Sequence, residues 1–150
     1  MQTFKRLFET GDEWSGLILR VTLGVVMFPH GAQKLLGWYG GYGFSGTMGF
    51  FTEQMHIPAV LAFLVIITES FGSLGLIVGV LTRVAAFGIT CIMVVAIAMV
   101  HWPHGFFMNW FGKQQGEGFE YHLLVLGVCA VLLISGGGRW SADRKIAARL

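Results

Sequence analysis

Apolar residues run through this chain in four long blocks, separated by two stretches rich in glycine and aromatic side chains. The first block, Trp14 to Trp38, is aromatic at both ends, as bilayer-crossing helices usually are at headgroup level. Arg20, Pro29, His30 and Lys34 lie inside it. The second, Pro58 to Leu81, opens on a proline suited to a first helical turn and has one ionisable residue, Glu69, near its middle. Gly72, Gly75 and Gly79 give it a small-residue stripe for close helix packing, within the chain or against a second copy. Arg83 follows after almost no linker, so the second and third spans predict a tight helical hairpin. The third span runs from Arg83 to His101 and stops at Pro103; the fourth runs from Glu120 to Ile134 and ends at Gly136, Gly137 and Gly138.

Between the first two blocks, Gly37 to Ile57 reads as a loop or re-entrant segment at the membrane interface, and Pro103 to Gly118 as a second wet segment. Phe4, Leu7 and Phe8, with Lys5, Arg6 and Glu9 between them, predict a short amphipathic helix on the membrane surface, ended by Gly11 and Asp12. RWSADRKIAARL reads as a basic tail. The expected fold is therefore all-α: one domain over residues 1–150, an integral membrane four-helix bundle with a short amphipathic helix before it and two aromatic segments on the extracytoplasmic side.

Composition agrees with the bilayer as solvent. Of 150 residues 55% are hydrophobic and 12% charged, about half the charge of an ordinary soluble domain, and too little to cover a water-soluble surface. The length accommodates four spans of about 20 residues but not six. A net charge of +2, with no basic arm, excludes a nucleic-acid partner. The start of the chain lacks the apolar core and cleavage site of a signal peptide, so the first span is expected to serve as an uncleaved anchor. Lys5, Arg6, Arg83, Arg139, Arg144, Lys145 and Arg149 fall at one side of the bundle, against Lys34 and Lys113 at the other, which predicts that both termini face the cytoplasm.

Charges at bilayer depth are the sharpest chemical signal, because each is costly there and usually faces a bundle interior. From the cytoplasmic side, Arg20 lies roughly 9 Å up, Glu69 roughly 18 Å and His30 roughly 24 Å at helical rise. An Arg20–Glu69 pair with His30 above it is expected to form a buried cluster able to hold and move a proton, suited to chemistry at a quinone. The same pair also reads as a plain bundle clamp. Lys34 is expected to snorkel towards the outer interface. Together with Trp38, His101, Phe106 and Trp110 it would border a slot for the quinone ring. His56, His101, His104 and His122 gather on the outer side, but HWPH matches no metal motif, so interface hydrogen bonding is their default role. Cys91 and Cys129 fall at similar depths inside apolar runs, where packing is the ordinary use of cysteine and a thiol contact the alternative. No phosphate loop, nucleophile elbow, CxxC or HExxH is present.

Three segments resemble the DoxX family of small four-helix membrane proteins: LRVTLGVVMFPHGAQKLLGW (19–38), TESFGSLGLIVGVLTRVAA (68–86) and GGGRWSADR (136–144). The family pattern is met by Arg20, Gly24, Gly31 and Lys34, then by Glu69, Gly72, Gly75, Gly79, Leu81, Thr82 and Arg83, and finally by Gly136, Gly138, Arg139, Ser141 and Asp143. The resemblance implies an inner-membrane protein tied to redox work; relatives include the large subunit of thiosulfate:quinone oxidoreductase, membrane partners in oxidative-stress complexes, and proteins of maturation or metal-handling systems. The expected function is a quinone-interacting subunit of a membrane oxidoreductase that works with a redox partner protein. The alternatives are a non-enzymatic scaffold recruiting such a partner, and a metal-handling or transport protein using the outer histidines.

Overall fold

A computed structural model describes residues 6–149, in which all regular structure is helical. Phe4 of the expected amphipathic helix lies outside the described residues. Residues 6–8 are helical, with Phe8 buried and Leu7 exposed. Helix α1 spans Trp14–Leu36 and passes through Pro29 unbroken, ending where Gly37 takes the left-handed conformation and its N–H donates to the Ala32 carbonyl. Helix α3 spans Ala59–Val78 and helix α4 Thr82–His104. These three are long and apolar enough to cross a membrane. Helix α5, Glu120–Ser135, is apolar but shorter, at 16 residues.

All four contribute to one core, in which Leu23 and Met27, Leu76, Ala85, Ala86, Ile89 and Met93, and Val125, Cys129 and Leu132 are buried together. The core is thin. Within the spanning windows of α1, α3 and α4 only 39%, 33% and 22% of residues are buried, and Ile18, Val60, Phe71, Phe87 and Val94 stand on the outside. So large an apolar exterior requires lipid around it.

Helices α1 and α3 run antiparallel in close contact, and the glycines that allow this are on α1. A Cβ on Gly24 would lie 2.8 Å from the Ser73 carbonyl oxygen, and one on Gly31 would lie 2.6 Å from the Ser70 Cα and closer still to the Glu69 carbonyl. The stripe expected on α3 is used differently. Gly72 makes ordinary contact with Ala85, whereas Gly79 is the left-handed cap that ends the helix.

Two regions depart from expectation. The glycine-rich stretch after α1 is largely helical, as α2, Gly43–Gly49, continued by a π-helical turn at Phe50–Gln54. Helix satisfies its backbone groups internally, which a loop at the interface does not. The basic tail is folded: helix α6, Ala142–Ala147, is capped by the Ser141 side chain and buries Asp143 against the α3–α4 turn.

Gly31→Ala is expected to force α1 and α3 apart and to cost about 1–3 kcal/mol. Gly127→Ala, whose Cβ would meet nothing within 4 Å, should leave stability unchanged or slightly raised. Thermal unfolding of both variants in detergent micelles checks this.

Candidate functional site

The three segments of family resemblance converge at the end of the molecule that carries both termini. Arg20 is 2% exposed and points its guanidinium at the C-terminal end of α3. Nη1 donates to the Leu76 carbonyl at 2.9 Å and to the Ile77 carbonyl at 2.5 Å, Nε to Gly137 at 2.8 Å, and Nη2 to Arg139 at 3.3 Å. Helix-terminal carbonyls lack intrahelical partners, and a cation there also meets the negative end of the helix dipole. Around Arg20 the chain has no room for side chains: a Cβ on Gly79 would lie 2.7 Å from the Ser141 Cβ and 2.9 Å from the Arg20 Cζ.

Asp143 completes this knot. Its carboxylate accepts from the backbone N–H of Leu81 at 2.7 Å and of Thr82 at 2.9 Å, capping the first turn of α4. Leu81 has φ 51°, a left-handed conformation that costs a branched side chain roughly 1–2 kcal/mol. The two Asp143 bonds offset that cost. Arg83 ties down the other helix end, donating to the carbonyls of Leu133 and Ile134 at 2.9 Å and to those of Arg6 and Glu9. The adjacent cleft, of about 450 Å³, is lined by Glu9, Thr10, Arg83, Ser135 and Arg144, and Arg144 is paired with Asp12.

The expected Arg20–Glu69 pair is therefore not formed. Antiparallel packing sets Arg20 level with Leu76 and Ile77, seven to eight residues along α3 from Glu69, a separation of roughly 11 Å at helical rise. Lys34, about four turns closer to the opposite end of α1, takes the place assigned to Arg20. Its Nζ lies 2.5 Å from Glu69 Oε2. The carboxylate side chain is 5% exposed and the lysine side chain 23%, so the amine reaches inward and does not snorkel.

Glu69 projects from a π-helical turn, Thr68–Gly72, in the middle of α3. Such turns insert an extra residue and recur at functional sites, because they re-aim one side chain without ending the helix. Ser70, in the same turn, donates to the Gly31 carbonyl at 3.1 Å and fixes the turn against α1. His30 is exposed beside the pair and lies in the electrostatic reach of both Lys34 and Glu69. Met27, His30 and Lys34, at intervals of three and four, share one face of α1. At the Met27 end of that face the Tyr121 hydroxyl of α5 donates to Met27 Sδ at 3.8 Å.

His101 and His122 form a second feature at this end of the molecule. His101 closes another π-helical turn, Ile97–His101, and its ring centroid is 4.0 Å from that of His122, tilted by 45°. Nδ1 of His101 bonds to the Glu117 carbonyl at 2.8 Å. His122 is 6% exposed, and its Nδ1 has no hydrogen-bond partner. Among the described residues no group of three or more His, Cys, Asp or Glu is gathered to hold a metal ion.

The aromatic residues predicted to border a slot stand on the exterior. Trp38 packs its edge against Tyr39, and Phe106 meets Phe107 and Phe119. Trp110 donates its indole N–H to Glu120 Oε1 at 3.1 Å. The two cysteines are free: Cys129 is fully buried in the core, while Cys91 is exposed on α4. Sequence reasoning grouped His122 only with the outer histidines and left Tyr121 out, because their roles depend on how α5 docks against α1 and α4. Asp143 carried a signal in the closing Gly-x-Gly-Arg-x-Ser-x-Asp pattern.

Fold and site together define an α-helical membrane protein with an ion pair in its bundle, the carboxylate buried and the lysine partly so, and a polar knot around Arg20 and Asp143 at the opposite end. Residues 15–102 match the family DoxX. The chain belongs to the DoxX family. No curated protein and no solved structure matches it.

If Lys34 and Glu69 are a buried pair, removing one partner strands the other charge. Lys34→Met and Glu69→Leu are each expected to cost about 3–5 kcal/mol, with the double variant recovering most of the loss. Unfolding of the two single variants and the double variant in detergent measures the coupling directly.

Proposed function

We propose that this DoxX protein is a quinone-interacting subunit of a membrane oxidoreductase system, and that the Lys34–Glu69 pair with His30 is its quinone-facing site. The observation that carries the reading is an ion pair at bilayer depth, 2.5 Å long and set in a π-helical turn, with an exposed histidine beside it. An intramembrane charge is expensive and is most often kept for work. A quinone head needs hydrogen-bond donors for its two carbonyl oxygens and a base able to exchange a proton. Lys34 and His30 supply the donors and Glu69 the base, so the residues fit the group. The bound quinone would supply two-electron chemistry; the electrons would pass between it and a redox partner protein.

His30 is exposed at the edge of the face that carries the pair, so the site opens to the bilayer beside it, where an isoprenoid quinone resides. Lys34 orients the ring and holds the Glu69 carboxylate in place until the charge is needed elsewhere. Arg20 has no part at the reacting atoms, being engaged by four carbonyls at the opposite end of α1. Arg83, Arg139 and Arg144 cluster at the end bearing the termini, which supports an inner-membrane placement with both termini cytoplasmic and the Lys34 end outward. Under this orientation α5 completes the bundle as the fourth span, its short length made up by the polar turns at either end.

A scaffold role for the same pair, as a clamp for recruiting a partner, is favoured by the exposed aromatic surface at Trp38, Trp102, Phe107 and Trp110. The two readings separate on one variant. Glu69→Gln keeps the shape of the side chain and removes its charge. In untagged protein extracted gently from membranes, native mass spectrometry is expected to show bound quinone in the parent and its loss in Glu69→Gln. A parent that carries no quinone, or a variant that retains it fully, contradicts the quinone reading.

A further inference from the structure

A carboxylate that handles protons while only 5% exposed needs a path to water. We propose that His122 and His101 form that path, carrying protons between the Lys34–Glu69 site and the surface formed by residues 105–119; the inference rests on the quinone reading above.

The path begins on the face of α1 shared by Met27, His30 and Lys34. Lys34 holds Glu69 of α3, and Met27 meets the Tyr121 hydroxyl of α5, so His30 sits between the two contacts. His122 follows Tyr121 in sequence and lies in the electrostatic reach of both His30 and His101. It is 6% exposed and its Nδ1 has no partner. A buried polar atom without a partner is costly, so one kept in place calls for a reason beyond packing. An imidazole has one: it takes a proton on one ring nitrogen and releases it from the other.

His101 is the next carrier, 4.0 Å away between ring centroids. Its Nδ1–H donates to the Glu117 carbonyl, a peptide group that holds the ring but does not take up the proton, so the position of His101 that gains and gives up a proton is Nε2. Glu117 itself is exposed, on the loop that reaches solvent. Two imidazolium rings this close repel strongly. The pair therefore accepts at most one proton beyond the two that its neutral rings already carry, which is the property a relay requires. The groups facing the pair are Tyr121 on its own helix, His30 on α1, and Glu117 from the loop side.

The balance is simple. Reduction of a bound quinone consumes two electrons and two protons; the electrons come from the redox partner protein, and the histidines deliver protons to Glu69 one at a time without being consumed. In quinol oxidation the flow reverses.

Two measurements test the route. In quinone-free protein with 15N-labelled histidine, NMR titration is expected to show His101 and His122 sharing a single added proton, with the His122 curve moving when His101→Phe removes its neighbour. Independent titration of the two rings overturns the pair. In protein loaded with a short-chain quinone on an electrode, His122→Phe is expected to slow proton-coupled reduction at least tenfold at unchanged quinone occupancy. Millimolar imidazole should restore the rate, and His56→Phe should behave as the parent. A His122→Phe protein that holds quinone and reduces it at the parent rate overturns the route while leaving the quinone site standing. A parent that binds no quinone overturns both. Should His122→Phe fail to fold, His101→Gln serves, with the same expected slowing and the same contradicting result.

Discussion

A guanidinium buried at 2% exposure has to find protein acceptors for its donors, and in this chain that requirement organises everything above it. Arg20 reaches the final carbonyls of α3 and the glycine loop after α5 at once. It thereby fixes the height of α1 against α3. From that register Gly24 falls beside Ser73 and Gly31 beside Glu69 and Ser70, where backbones touch and no side chain fits. One turn further, Lys34 arrives at Glu69. The ion pair at the far end is thus a consequence of the knot at the near end, transmitted along two rigid helices.

The two ends use charge in opposite ways. At the knot, Arg20, Arg83 and Asp143 are matched to backbone groups of helix ends, which holds the turn at Leu81 in its left-handed conformation and closes the bundle. Little is left there for chemistry. At the other end, Lys34 and Glu69 are matched to one another, His30 and Tyr121 lie in their electrostatic reach, and the His101–His122 pair follows at the same end; all four are side chains with protons to exchange. Side-chain partners can be traded for a ligand, whereas helix-end carbonyls cannot be given up without unravelling the helix.

Much of this was legible in the sequence. The blocks of apolar residues predict α1, α3, α4 and α5 to within a few residues, because lipid imposes a length and forbids charge along it. Glu69 stood out for the same reason. What pattern could not supply was pairing. Arg20 and Lys34 both lie on a plausible face of α1, and choosing between them needs the vertical offset of two helices, which is set by glycines that look alike in sequence. Gly24 and Gly31 make the close contact, although Gly72, Gly75 and Gly79 form the more obvious stripe. The stretch after α1 was open in another way: its glycines read as a loop or a re-entrant segment, and of the two the loop is excluded, because the stretch is largely helical and helix provides for its own hydrogen bonds. The tail misled through its basic residues; Asp143 stood out in the closing pattern, but its partners, the N–H groups of Leu81 and Thr82, appear only once the α3–α4 turn is beside it.

The most direct measurement is photoaffinity labelling of native membranes with an azido-quinone, with the labelled peptides located by mass spectrometry. The account predicts that the label falls on α1 around His30 to Lys34 and on α3 around the Glu69 turn, and that excess unlabelled quinone removes it. Labelling at the cleft beside Arg83 and Arg144, or spread along the lipid-facing helices without competition, would contradict it.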